Sequence, residues 1–154
     1  MISIDQNLIS QTLEQAKDNP RHRQIFRFHK LKEPVQRMLN ALLPDSYARP
    51  HYHSDKPEVF IILKGKLAII KFNKQGKIIQ QEIIKSSGPN FGVEIKPKEW
   101  HSIVALIPSV VYEIKKGPYI KKTDKVFAKW APEENTDEGQ KYLKKLKNII
   151  RIYK

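Results

Sequence analysis

Two histidines spaced two positions apart, His51 and His53, are the first residues whose types and spacing suggest chemistry. On a β-strand alternate side chains share one face, so both imidazoles would project from the same side. Glu58 follows after four intervening residues, and His101 comes much later, at the start of an apolar run. Three imidazoles and one carboxylate can hold a divalent transition metal and leave room for water or substrate. The pattern predicts a metal site formed by His51, His53, Glu58 and His101.

An alternative interpretation is that these are ordinary polar residues on solvated strand faces. A His-x-His pair alone is a weak signal, because surface histidines often have this spacing. The apolar runs at residues 59–63 and 102–106 argue against the alternative, since they are typical of buried strands. Gly65 follows Glu58 at the spacing of a hairpin turn. The predicted ligands therefore lie at the mouth of an apolar core.

The chain contains no cysteine, which excludes disulfides, thiolate ligands and cysteine nucleophiles. A site of nitrogen and oxygen ligands suits Fe(II), Mn(II), Ni(II) or Zn(II), and the sequence does not choose among them. Histidine must be neutral to bind a metal, so the metal should be lost on acidification through about pH 5–6.

Hydrophobic periodicity predicts helices only near the ends of the chain. Residues 3–18 have apolar side chains at helical spacing, and residues 21–31 alternate basic and apolar side chains as in a strand. Residues 34–43 fit either a helix or a strand. Turn residues at 44–46, followed by the extended segment 47–53, favour the strand.

From there, turn signals recur about every 8–12 residues, which is typical of a β-sandwich or small barrel. The strands predicted between these turns are residues 59–63, 66–72, 77–84, 91–95, 100–106 and 110–115. No crossover helix is predicted between them, which favours antiparallel pairing.

The chain is predicted to be one domain with an N-terminal helix (1–20), a β-barrel (21–134) and a C-terminal helix (135–154). Residues 120–137 appear irregular in sequence. The last helix is basic and amphipathic, and its apolar positions are Leu143, Leu146, Ile149, Ile150 and Tyr153. Such a helix can lie on an anionic membrane, but docking on its own domain or on a second subunit is the favoured prediction.

The net charge of +13 invites a nucleic-acid interpretation. Its lysines are scattered, however, and the best basic–aromatic cluster, residues 21–30, fits a strand with a solvated face. We expect nonspecific attraction to polyanions at low salt and no specific nucleic-acid binding. The sequence shows no secretory signal and no apolar run of about 20 residues, so a cytoplasmic protein without a membrane span is expected.

These motifs resemble those of the cupin superfamily. Its first motif is a glycine, five residues, His-x-His, three or four residues, a glutamate, six residues and a glycine. The matching residues here are Asp45, His51, His53, Glu58 and Gly65, so only the leading glycine is replaced. The second motif runs Pro-x-Gly-x-x-His, with an asparagine after three more residues. In residues 96–105 the proline is shifted and the glycine and asparagine are missing, but His101 is kept.

Within cupins the chain is most similar to the WbuC family of cupin-fold metalloproteins. The residues that carry this similarity are 34–42, 46–47, 49–51, 92–95, 100–101, 116–119 and 127–132. The resemblance covers roughly residues 21–134. It implies a mainly β, antiparallel cupin (RmlC-like) jelly-roll barrel with short terminal helices, a homodimer and a bound metal. WbuC proteins are often associated with bacterial surface polysaccharide and O-antigen gene clusters.

Polar residues that share a strand face with the ligands are candidates for contacting a substrate. Arg49 has the same parity as His51 and His53, and its guanidinium could hold a carboxylate or phosphate; a surface arginine is the alternative. The weaker candidates for substrate contacts are Arg37, Asn40, Glu94 and Tyr119.

Two functions remain open on sequence alone. One is a metal-dependent enzyme that acts on a small polar metabolite such as a sugar or sugar nucleotide. The other is a noncatalytic cupin that binds metal or ligand to regulate or scaffold a pathway. An enzyme needs an open metal position inside a polar pocket, whereas a structural site is closed and dry.

Overall fold

The computed structural model describes residues 1–152, without the side chains of residues 151 and 152. Within these residues, two helices flank ten strands. In chain order these are α1 (Gln6–Lys17), β1 (Arg23–Arg27), β2 (Val35–Leu42), β3 (His51–Tyr52), β4 (Glu58–Lys64), β5 (Lys66–Phe72), β6 (Ile78–Lys85), β7 (Gly92–Ile95), β8 (Trp100–Ala105), β9 (Ser109–Lys116), β10 (Val126–Phe127) and α2 (Asp137–Ile152).

The strands form two five-stranded antiparallel sheets. Sheet A has the order β1-β2-β9-β4-β7, and sheet B has the order β10-β3-β8-β5-β6. Sequence neighbours are often in different sheets, as expected of a jelly roll rather than a meander. The predicted mainly β, antiparallel jelly-roll fold with short terminal helices is confirmed.

The main core lies between the two sheets and is apolar at one end only. On β4 the inward positions run from Ile62 through Phe60 to Glu58, and on β9 they run from Val111 through Glu113 to Lys115. Register pairs Ile62 with Val111, Phe60 with Glu113, and Glu58 with Lys115. The sandwich is therefore packed with aliphatic side chains at one end and with buried charged groups at the other.

Helix α1 covers the outer face of sheet A. Asp5 caps its N-terminus, because the Leu8 amide donates to Asp5 Oδ1 at 2.9 Å. Ile9 and Ala16 of the helix pack in a cluster with buried residues of β2 and β9. The N-terminal helix predicted over residues 3–18 is confirmed, with its ends shifted inward by a few residues.

Helix α2 covers the outer face of sheet B. Leu143, Leu146 and Ile150 are no more than 2% exposed and pack against residues of β5 and β8, which include Ile70 and Val104. The predicted docking of this apolar face on protein is confirmed for these three residues, and the protein they contact is the same chain. Tyr153, predicted for the same face, lies outside the described residues. Within residues 1–152, no helix combines the length and apolar character needed to cross a bilayer.

The β4–β5 turn and the turn before His101 both contain a residue in the left-handed conformation. Gly65 joins β4 to β5 with φ of +90°, a left-handed conformation that favours glycine. Lys98, three residues before His101, adopts φ of +67° without being a glycine. Its amide donates to the carbonyl oxygen of His53 at 2.8 Å, which ties the turn to the histidine-bearing segment. The turn before His101 is thus formed despite the missing glycine.

One strand was not predicted. The segment 120–137 contains β10, whose two residues pair with His51 and Tyr52 of β3. The prediction that the whole segment is irregular is wrong at this point, because pairing to β3 supplies order that a two-residue pattern cannot reveal.

Candidate metal centre

The four predicted metal ligands come from both sheets. His51 on β3 is paired with His101 on β8, and His53 follows immediately after β3. Glu58 is the first residue of β4 in the opposite sheet. All four side chains are buried, and their candidate ligand atoms lie within 4.8 Å of one another. The structure therefore brings all four together at the polar end of the sandwich.

Backbone carbonyl groups fix the orientation of each histidine ring. The Nδ1 partners are the carbonyl oxygens of Arg49 for His51 at 2.9 Å, of Glu99 for His101 at 2.8 Å, and of Asp124 for His53. A carbonyl oxygen only accepts, so each Nδ1 carries a hydrogen, and a neutral ring then has a lone pair on Nε2. This is the arrangement in which protein histidines bind metal ions through Nε2.

The Nε2 atoms of His53 and His101 lie close to the carboxylate oxygens of Glu58. His53 Nε2 is buried, makes no hydrogen bond to any residue the structure describes, and lies 3.4 Å from Glu58 Oε1. His101 Nε2 lies 3.1 Å from Glu58 Oε2. A nitrogen lone pair and a carboxylate oxygen repel each other at such distances unless a proton or a metal cation lies between them. The donor set and the unpartnered Nε2 of His53 therefore fit a divalent transition metal.

The electrostatics of the centre favour the ligating protonation states. Burial, aided by the positive charge of Lys125 and by His101, lowers the pKa of His51 well below its usual value. Burial alone would raise the pKa of Glu58. The close approach of the His101 and His53 imidazoles, together with the charge of Lys115, instead holds the pKa of Glu58 well below its usual value. His51 is thus kept neutral and Glu58 ionised, as metal binding requires.

Lys115 is a buried cation beside the centre. Its Nζ lies 3.5 Å from Glu58 Oε1, 3.6 Å from Glu113 Oε1 and 3.2 Å from Asp124 Oδ2. Burial favours the neutral amine, but the three carboxylates outweigh it and hold the pKa of Lys115 above its usual value. Burial and the nearby charge of Glu58 raise the pKa of Glu113. Lys115 therefore offsets the negative charge of the carboxylates around the centre.

The segment after β9 is anchored beside the centre through Asp124. Its Oδ1 accepts a hydrogen bond from Lys56 Nζ at 3.1 Å, and Lys56 also donates to the carbonyl oxygen of Pro118 at 3.0 Å. Burial would raise the pKa of Asp124, but the charge of Lys115 and the hydrogen bond from Lys56 lower it. Because the carbonyl of Asp124 also orients His53, this anchored segment supports a ligand of the centre.

A cavity of about 360 Å³ opens in front of the centre. His51, Glu58 and His101 form part of its wall, together with Asn40 and Glu113 from sheet A. Its volume falls within the range of small-molecule sites in proteins. The centre is therefore accessible to a ligand.

Comparison with known proteins identifies the family and the fold. The family model described as "Domain of unknown function (DUF6016)" matches residues 4–84, which is just over half of the 154-residue chain. The chain belongs to the DUF6016 family. No curated protein matches it.

Solved structures similar to this DUF6016 protein are cupins. The capsular polysaccharide assembling protein CapF from Staphylococcus aureus is 20% identical with a TM-score of 0.59, over 68% of this chain and 29% of CapF. KdgF from Halomonas sp. is 16% identical with a TM-score of 0.52, over 68% of this chain and 84% of KdgF. A cupin superfamily protein from Desulfitobacterium hafniense DCB-2 is 13% identical with a TM-score of 0.50, over 61% of this chain and 76% of its own length.

The DUF6016 chain spans about a third of the length of the CapF structures it matches. At these identities the similarity shows the fold alone, and that fold is the cupin fold.

The residues predicted to contact a substrate have different positions in the DUF6016 structure. Asn40 and Tyr119 line the cavity. Glu94 is exposed on β7 and lines a separate depression of about 60 Å³. Arg37 binds Glu33 at 2.6 Å, and Arg49 donates to the carbonyl oxygen of Ala128 at 2.9 Å. Neither arginine is among the residues that line the cavity.

Sequence reasoning missed the charged residues that surround the ligands in this DUF6016 protein. Glu113 and Lys115 have the same parity as Val111, so their shared inward face was detectable. The sequence pattern does not predict that they are buried, because charged residues on a strand usually face solvent. Lys56 and Asp124 lie in irregular segments, where the sequence offers no comparable signal.

Proposed function

We propose that this protein is a metal-binding cupin that uses a divalent transition metal in a reaction on a small polar metabolite. The metal ligands would be His51, His53, Glu58 and His101. The observation that carries the proposal is the set of three Nδ1 hydrogen bonds to backbone carbonyls, which leaves three Nε2 atoms to face Glu58. Burial of four such groups without a cation would be costly.

The cavity supports a reactive rather than a purely structural centre. A metal held here would polarise a substrate oxygen or supply a hydroxide near neutral pH. The protein's own contribution would be to orient the imidazoles, to keep Glu58 ionised beside Lys115, and to restrict water to the cavity of about 360 Å³. Iron, manganese, nickel and zinc all suit the ligand set.

The biological setting is part of the same proposal. The resemblance to the WbuC family supports a sugar or sugar nucleotide of bacterial surface polysaccharide biosynthesis as the metabolite. Similarity in fold to CapF, described as a capsular polysaccharide assembling protein, supports the same link. We further propose that the protein is cytoplasmic and forms a homodimer. The dimer is supported by the cupin sheet edges, such as β1 and β7, which pairing between subunits can cover.

Metal analysis of untagged protein and of ligand variants tests the proposal. Wild-type protein should purify with a stoichiometric divalent metal. His51→Ala and His101→Ala should each weaken metal binding by at least about 100-fold, because loss of even an outer partner of a ligand typically costs 10–100-fold. His22→Asn is the matched control: His22 is outside the cluster, and asparagine tolerates its φ of +52°.

Circular dichroism should show that both alanine variants keep the β fold, since the aliphatic end of the core is untouched. Full metal content in both variants would show that the site is wrongly assigned. Where an activity is found, His53→Ala should abolish it.

A further inference from the structure

We propose that the cavity in front of the metal centre selects a hydroxyl-bearing anion, such as a sugar with a phosphate or carboxylate group. Cations along the cavity wall would hold the charged group, and buried acceptors would hold the hydroxyls. This inference rests on the proposed function, because it specifies the small polar metabolite of the same site. It depends on the cavity's own side chains and not on the identity of the metal.

The first observation is an excess of unneutralised positive charge. Among the side chains that the structure describes, six cations line the cavity, and three of them have carboxylate partners. Arg21 and Arg23 both bind Glu134 Oε2, at 2.7 and 2.6 Å, and Lys115 contacts the buried carboxylates beside the centre. Arg21 and Arg23 share the single carboxylate of Glu134, and Lys115 faces three carboxylates, so each of these three cations has an acidic partner inside the protein.

The other three cations are Arg27, Lys121 and Lys125. Among the described residues, no carboxylate lies within ion-pair distance of them, whereas the neighbouring cations of the same cavity are all paired. Arg27 comes from β1 at the edge of sheet A, and the two lysines come from the segment that leads into β10. Two separate parts of the fold therefore supply unpaired positive charge to one cavity, which favours an anion inside it.

The second observation is a buried acceptor without a donor. Asn40 is 7% exposed, and its amide nitrogen donates to Glu113 Oε2 at 3.0 Å. Its Oδ1 is buried and has no hydrogen-bond partner within the described part of the chain. Because an unsatisfied buried acceptor is costly, a ligand donor at this position would be recognised strongly. A hydroxyl group supplies such a donor, and a fully ionised inorganic anion such as sulfate does not.

The two observations together define the ligand class. A neutral sugar would satisfy Asn40 but leave Arg27, Lys121 and Lys125 without an anionic partner. A simple anion would satisfy the cations but not the amide. A sugar phosphate or sugar carboxylate satisfies both.

Isothermal titration calorimetry of metal-loaded and metal-free protein tests this inference. The probes are D-glucose 6-phosphate and D-glucuronate, with D-glucose as the uncharged control and inorganic sulfate, which has no hydroxyl group at neutral pH, as the control without a sugar. We expect both sugar anions to bind at least about tenfold more tightly than either control, since each lost charge-assisted contact weakens binding severalfold.

Variants separate the two contributions. The triple variant Arg27→Gln, Lys121→Gln, Lys125→Gln should weaken the binding of both sugar anions about tenfold or more. The remaining binding should depend less on salt concentration. The matched control Lys74→Gln, Lys141→Gln, Lys144→Gln removes the same charge from exposed positions outside the cavity and should change affinity less than about twofold. Asn40→Ala should weaken the binding of the sugar anions without changing the affinity for sulfate.

Equal affinity for D-glucose and D-glucose 6-phosphate would overturn the inference, as would unchanged sugar-anion binding in the cavity triple variant. Absence of sugar-anion binding by folded protein that has its full metal content would also overturn it and leave the metal proposal intact. Conversely, sugar-anion binding by protein that takes up no metal would support the inference and contradict the proposed metal function.

Discussion

A histidine of the candidate metal centre can bind metal only when its ring is neutral. Hydrogen bonds to backbone carbonyls keep the hydrogen on Nδ1, so Nε2 is the nitrogen that loses its proton. The Nδ1 hydrogens are held by carbonyl groups, so metal and proton compete for Nε2 alone. The lowered pKa of His51 keeps that ring neutral at pH values where an ordinary histidine, with a pKa near 6.5, begins to charge.

This competition predicts that metal binding weakens as the pH falls. Release of the metal frees Nε2 atoms that then take up protons, so acid favours release. We expect half-release at about pH 5–6, below the ordinary histidine pKa, because the lowered pKa of His51 opposes its protonation. Metal analysis after dialysis across about pH 4.5–8 measures the midpoint.

The far-UV circular dichroism spectrum at each pH distinguishes metal release from acid unfolding. Full metal retention by folded protein at about pH 4.5 would contradict histidine ligation.

Among the structural elements, the β4–β5 turn is a position where one side-chain atom should matter. Gly65 has φ of +90°, and a Cβ there would lie 2.5 Å from the carbonyl oxygen of Pro108 and in contact with Ser109 Oγ. Gly65→Ala should therefore lower the free energy of unfolding by about 1–3 kcal/mol. Gln75→Ala, in the exposed β5–β6 turn, should change it by less than about 0.5 kcal/mol.

Urea denaturation of both variants measures these differences. A Gly65→Ala protein as stable as wild type would show that the turn relaxes without strain.

The strands were predictable because their signals are local. Turn residues and alternation marked β4 to β9, and the turn after residue 43 decided β2 against a helix. Strand β10 could not be predicted, since its order comes from pairing with β3, far away in sequence. The turn before His101 shows the reverse case: Lys98 keeps the left-handed conformation that a motif glycine would have marked.

The candidate site was predictable where its residues are close in sequence, and not where distant segments meet. His51, His53 and Glu58 lie within one short segment, so spacing alone linked them. Arg49 shares their parity but does not line the cavity, because it precedes β3 and strand alternation does not extend to it. Lys115 became a neighbour of Glu58 through β4–β9 register, which no local pattern specifies.

At the scale of the whole molecule, the two helices complete a layered structure. Helix α1 covers sheet A and helix α2 covers sheet B, while the metal centre lies between the sheets. The basic residues of α2, such as Lys141, Lys144 and Lys145, stay exposed while Leu143 and Leu146 are buried. An amphipathic helix that could suit a membrane surface therefore uses its apolar face within the protein.

This arrangement predicts that truncation after Glu138 lowers stability without removing the metal ligands. Loss of Leu143, Leu146 and Ile150 would uncover the outer face of sheet B, and burial of each such side chain contributes about 1.5–3 kcal/mol. Leu146→Ala is the milder variant and should lower the free energy of unfolding by about 2–5 kcal/mol.

The control Lys144→Gln, Lys145→Gln changes the exposed face alone and should keep wild-type stability. Thermal unfolding, light scattering, metal analysis and liposome co-sedimentation measure the outcome. A truncated protein that keeps its melting temperature and size but loses liposome binding would show that α2 is a membrane-binding element instead.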